Sequence, residues 1–275
     1  MEPSAILFGI TFAFYCAAAI LYLWNVLGGT GLTGRLATGS TVLGLAAHTG
    51  AIAARGIAVG RAPFTNLFES LSFSIWALVA IYLLMERRYR ITALGAFVSL
   101  VAFATILGSS VIPKNINDAL VPALKSHWSS IHVTTSLISY ASFALAFGAA
   151  IGYILQEHML KAKRITPLQK HLPSLDVMDH LAYKMVAIGF PMLTLGVITG
   201  SLWAQTAWGS YWNWDPKETW SLITWLVYAA YLHVRIVQGW RGKWANRLLI
   251  AGFACVLITY FGVNFLAAGL HKYNW

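Results

Sequence analysis

The chain has 275 residues, of which 58% are apolar and 10% charged, and its net charge is +10. A soluble domain carries roughly a quarter charged residues. This composition therefore excludes a water-solvated surface and makes lipid the main solvent.

A bilayer core of about 30 Å takes roughly 20 apolar residues as a helix. Uninterrupted apolar runs satisfy their own backbone groups as helices, not as barrel strands. Eight such runs follow along the chain, at about 5–28, 37–57, 65–85, 91–112, 128–160, 181–204, 219–238 and 248–269. The expectation is an all-α polytopic integral membrane protein with about eight transmembrane helices, a single membrane domain over 1–275. The first run lacks a basic n-region and is long enough to span, so it reads as a span and not as a signal peptide. The second run carries His48 and, seven residues on, Arg55. Asn66-Leu67-Phe68-Glu69 heads the third run with a helix-capping pattern. His132 lies one turn into the fifth run, His233 lies inside the seventh, and His271 follows the eighth. The longest polar stretches are 113–127, 161–180 and 205–218.

The basic residues assign the sides. With eight spans the termini share a side. One set of loops then holds Arg35, Arg87, Arg88, Arg90, Lys161, Lys163, Arg164, Lys170, Arg235, Arg241, Lys243 and Arg247; the other holds Arg55, Arg61, Lys114, Lys125, Lys217 and Lys272. The richer set belongs in the cytoplasm, which puts both termini and the loops 58–64, 113–127 and 205–218 outside. The positive charge thus reads as a topology signal, with no nucleic-acid partner expected. Cys16 and Cys255 each sit alone in an apolar run, without a CxxC pair. They read as small hydrophobes, not as redox thiols.

The most informative segment is the loop at about 203–220. It gathers Trp203, Trp208, Tyr211, Trp212, Trp214 and Trp220 into 18 residues. An interfacial aromatic belt spreads such residues over many helix ends. Their convergence on one loop favours a platform of π-faces on which a flat apolar macrocycle stacks. Gly209 and Asn213 are the positions expected to let the backbone curl. Asp215-Pro216-Lys217-Glu218 fits a capped helix start, with Pro at the first helical position, and capping is the expected main duty of Asp215, Glu218 and Glu69.

Histidines buried in lipid are costly and point to function, and neutral imidazole is the commonest metal ligand. His48 and His233 are candidates for an inner pair of axial ligands, and His132 and His271 for an outer pair beside the aromatic loop. For His48 a helix–helix hydrogen bond competes with ligation; for His233 a place at the membrane interface does. Arg55 lies on the same helix face as His48, about 10 Å further along, the separation of a heme iron from its propionates. Snorkelling of Arg55 to the interface is the other reading. His127 is a spare outer ligand.

W-G-S-Y-W-N-W-D-P-K-E-T-W (208–220), Y-L-H-V-R (231–235) and N-F-L-A-A-G-L-H (264–271) closely resemble the CcsA family, also called ResC. This is the tryptophan-rich WWD subunit of the System II cytochrome c synthase. H-W-S-S-I-H-V (127–133), and His48 followed by R-A-P-F-T-N-L-F-E-S-L (61–71), extend the resemblance over most of the chain. It implies a cytochrome c biogenesis protein of the bacterial cytoplasmic membrane that binds heme b and conveys it across the bilayer. His48 and His233 would hold heme within the membrane. His132 and His271 would ligate it on the outer loop, at Trp208, Trp212, Trp214 and Asp215, for thioether attachment to the CxxCH segment of an apocytochrome c. The implied partner is a separate CcsB/ResB-type membrane subunit. No residue stands out as a general acid, base or nucleophile, so an enzymatic role of the chain alone stays open. A bis-histidine membrane electron-transfer protein is the alternative; it would need the histidines but not the open aromatic loop.

Overall fold

The computed structural model describes residues 2–110, 112, 126–163 and 166–263. Among them the regular structure is helical, with no strand. The helices are α1 (Pro3–Gly28), α2 (Gly31–Val59), α3 (Leu67–Tyr89), α4 (Leu94–Ser109), α5 (His127–Lys161), α6 (Pro167–His171), α7 (Leu175–Trp208), α8 (Pro216–Ile236) and α9 (Lys243–Leu257). A π-helical turn, Ile258–Gly262, continues α9. Each of the eight apolar runs coincides with one helix, the eighth followed as far as residue 263 among those described. Of these, α1, α2, α3, α5, α7 and α9 with its π-turn are long and apolar enough to cross a membrane. The fourth run yields only the 16 residues of α4, about 24 Å of helix. The polar stretch 161–180 contains α6 and the start of α7, which begins at Leu175 and not near 181. Its N-terminal signal is local: Thr166 caps α6 by accepting from Gln169 N, as a short polar side chain does at a helix start.

The chain forms two compact units. The first comprises Met1–Ile116 with Gly152–Met178. Its core is α1 packed along α2, with α4 beside them. Small residues permit this close approach: a Cβ at Gly44 would lie 2.6 Å from the Tyr15 ring, and one at Gly95 would lie 2.4 Å from the Tyr82 hydroxyl. Tyr15, Tyr22 and Tyr82 are fully buried. Glu86 of α3 is buried too, and its carboxylate accepts hydrogen bonds from Thr38 at 2.8 Å and Tyr22 at 3.2 Å.

The second unit comprises Asn117–Ile151 with Asp179–Trp275. Here α7 presents Gly189, Gly196 and Gly200 to Phe143, Ser136 and His132 of α5. The Phe143 ring in turn stacks on Tyr228 of α8, with centroids 3.6 Å apart. At the other end of α8, Arg235 pairs with Asp179, which also accepts from Gly242 N at 3.2 Å. That carboxylate ties the α8–α9 turn to α7.

Candidate functional site

His132 sits in the second turn of α5, and Gly200 of α7 lets that helix pass close to its ring. Its Nδ1 lies 2.7 Å from the Gly196 carbonyl oxygen. A carbonyl only accepts, so the proton is on Nδ1 and the lone pair of the neutral ring is on Nε2. A metal-ligating histidine is characteristically held this way, by a backbone carbonyl on its other nitrogen. The ring stacks on Trp203 (centroids 5.8 Å, planes 23° apart), and Trp203 meets Trp208 edge-on at 5.0 Å. An unbroken aromatic path therefore leads from His132 to the last residue of α7.

Beyond α7 the loop turns through Gly209, whose φ of +75° needs a glycine. Asn213, the other expected flexible position, is not left-handed; Trp214 is, with φ +56°. A bulky residue there is an outlier, and it is held by one carboxylate. Glu218 Oε2 accepts from Asn213 N at 2.8 Å and from Asp215 N at 3.2 Å, gripping the backbone on both sides of Trp214. The Asp215 carboxylate accepts from Lys217 N at 2.8 Å, completing the expected capping box with Pro216 at the helix start. The clamp leaves the Trp214 indole 69% exposed and edge-on to Trp212 at 5.7 Å. Trp212 Nε1 is buried and has no acceptor among the described residues. A ligand with a carboxylate or carbonyl edge would satisfy it.

In the first unit, His48 is fully buried on α2. Its Nδ1 lies 3.3 Å from the Tyr15 hydroxyl and its Nε2 lies 2.8 Å from Ser72 Oγ. The helix–helix hydrogen bond weighed for His48 is thus present on both ring nitrogens, so ligation there requires the Ser72 contact to open. Arg55 does not snorkel. It is 3% exposed, its Nε donates to Glu69 Oε1 at 2.8 Å, and its guanidinium lies over the Phe68 ring at 5.2 Å. The cause is Glu69, whose other oxygen takes Arg61 at 2.9 Å and Thr65 N at 3.0 Å. Capping is therefore not the main duty of Glu69: Asn66 caps α3 with its own side chain, and the Glu69 carboxylate serves as a buried counter-ion for two arginines.

His233 is exposed in the last turn of α8. The structure brings His132, Trp203 and Trp208 together, and it places Trp212, Trp214 and Asp215 in one loop; His48 and Arg55 share α2. His271 lies outside the described residues. Sequence reading missed the orienting roles of Gly196, Gly200 and Glu218. A glycine four residues from a second glycine, on a helix reaching the aromatic loop, was the available signal for the first two. Cys16 and Cys255 are both free thiols, half-buried.

A profile of the family described as "Cytochrome C assembly protein" matches residues 64–271. The chain is 40% identical to "Cytochrome c biogenesis protein CcsA" of Guillardia theta, over 86% of this chain and 85% of that protein. It is 35% identical to the CcsA of Gloeobacter violaceus, over 96% of this chain and 93% of that protein. The CcsA of Synechocystis is 33% identical over the same shares. Among solved structures, "Cytochrome c Heme Lyase CcmF" superposes with a TM-score of 0.74 at 19% identity, a likeness of fold. It covers 98% of this chain, which spans about half of that protein, 48%. The chain belongs to the CcsA family of cytochrome c assembly proteins.

Proposed function

We propose that this protein serves cytochrome c biogenesis by binding heme b as its substrate and presenting it on the aromatic loop. There the thiols of an apocytochrome CxxCH segment add across the heme vinyl groups. The observation that carries this reading is His132: Nδ1 is fixed on a backbone carbonyl, Nε2 bears the lone pair, and the ring stacks on Trp203, which meets Trp208 edge-on. Heme is flat, apolar and poorly soluble, so it wants π-faces on one side and an imidazole on iron. Trp214 held in a strained backbone with an exposed indole fits a stacking surface, because strain persists where a site needs it. His271 is the second outer ligand in this proposal. His48 and His233 hold heme within the membrane on its way outward, with Arg55 as a partner for a propionate. Both termini and the aromatic loop lie on the outer side, and a CcsB/ResB-type subunit completes the complex. The protein's contribution is binding and orientation; the vinyl–thiol chemistry belongs to heme and the apocytochrome.

The test is maturation of a reporter cytochrome c in His132→Ala and His271→Ala. Each should abolish maturation, and exogenous imidazole should partly restore it by refilling the vacated position. Wild-type maturation in both variants would reduce these residues to surface histidines. Heme per polypeptide in His48→Ala and His233→Ala separates a conduit from an outer chaperone: the conduit requires occupancy to fall.

A further inference from the structure

Where α1 ends and α2 begins, a cavity of about 520 Å³ opens at one end of the first unit. Its walls carry three cations from three separate elements: Arg35 of α2, Arg90 between α3 and α4, and Lys170 of α6. All three are exposed, and none has a carboxylate partner among the described residues. Behind the lining residue Thr38 lies the buried carboxylate of Glu86, which is taken up by Thr38 and Tyr22. Three cations against one buried carboxylate leave a positive field in the cavity. The first turn of α2 lines it as well, through Gly31 and Gly34, and Thr30 makes no side-chain cap there. Helix N–H groups left without a cap are donors suited to an anion.

The surroundings choose among anions. Leu27, Leu32 and Leu36, from the same ends of α1 and α2, are 73%, 65% and 52% exposed. Such side chains beside a cationic cavity suit a ligand with a charged head and an apolar tail, which free phosphate lacks. This is also the end where Arg87 and Arg88 emerge, the basic end that faces the cytoplasm in the orientation proposed above, and the cytoplasmic leaflet is the anionic one. We infer that the cavity lined by Arg35, Arg90 and Lys170 is a binding site for the headgroup of an anionic phospholipid, whose acyl chains lie along Leu27, Leu32 and Leu36. The three cations and the α2 N–H groups take the phosphate, and the site needs no other ligand of the protein.

The full chain, purified and placed in nanodiscs, should unfold at a higher temperature in phosphatidylcholine mixed with phosphatidylglycerol than in phosphatidylcholine alone. Native mass spectrometry should retain phosphatidylglycerol on the wild type. Each cation removed should weaken retention about five-fold, so Arg35→Gln with Lys170→Gln should weaken it about 25-fold. Arg87→Gln removes an exposed charge at the same end that does not line the cavity, and it should leave retention unchanged. Equal loss in Arg87→Gln would reduce the effect to general surface charge and overturn the site. Equal protection by phosphatidylcholine alone, or by inorganic phosphate in detergent, would overturn the assignment to an anionic lipid.

Discussion

Gly200→Ala probes the orientation of His132 without touching a ligand. The added Cβ would lie 2.6 Å from His132 Nδ1 and 2.8 Å from Cε1. Ordinary contact is about 3.5 Å, so the ring must retreat by about 1 Å. The 2.7 Å bond from Nδ1 to the Gly196 carbonyl then stretches beyond hydrogen-bond range. In stability the loss is about 1 kcal/mol for the bond and about 1–3 kcal/mol for overpacking. In ligation the loss is separate, because removing the group that orients a metal-bound histidine costs about 10–100-fold in affinity. Gly189→Ala supplies the control: on the same helix, its Cβ would lie 2.6 Å from Phe143, a comparable steric insult remote from His132. The assay is heme per folded polypeptide, read with thermal unfolding of the same samples. Gly200→Ala should lose heme by one to two orders of magnitude, whereas Gly189→Ala should lose stability alone. Equal heme content in the two variants would refute the role assigned to the Gly196 carbonyl.

Three further outcomes follow from the geometry. Ser72→Ala removes the 2.8 Å partner of His48 Nε2; it should cost about 1 kcal/mol in thermal stability yet raise heme retention at the inner site, and unchanged or lower retention would argue against ligation through Nε2. Trp214→Gly relieves a left-handed residue strained by about 1–3 kcal/mol. It should leave melting unchanged or higher while maturation falls, and normal maturation would deny the indole a stacking role. Glu69→Gln leaves Arg55 buried without its counter-ion and should destabilise the protein by about 3–5 kcal/mol, seen as a lower unfolding temperature in detergent; an unchanged temperature would show that the pair is not buried in the working protein.

The helices were legible because lipid demands continuous apolar runs, and each of the eight runs returned as a helix. Their ends were less so. Run 37–57 became Gly31–Val59 because Gly31 and Arg35 extend the helix through a polar turn that hydropathy alone truncates. The capping box of Asp215 and Glu218 could be read from local spacing. The second use of Glu218, gripping Asn213 and Asp215 around Trp214, could not, because nothing in spacing says which loop residue takes the left-handed turn. Arg55 was misjudged as a candidate for snorkelling for a similar reason. Its partner Glu69 is fourteen residues away on another helix, and pairing across helices is a tertiary fact. His132 and Trp203 were both visible in the sequence, but their stacking depends on the close approach that Gly200 permits between α5 and α7.

The central claim is that His132 offers Nε2 to heme iron on the aromatic surface. The absorption spectrum of the full chain, purified with the proposed CcsB/ResB-type subunit and chemically reduced, tests it most directly. The wild type should carry heme with a six-coordinate, low-spin spectrum. His132→Ala should lose part of that signature and regain it when imidazole is added. A wild-type protein without heme, or a His132→Ala spectrum identical to the wild type, would contradict the claim.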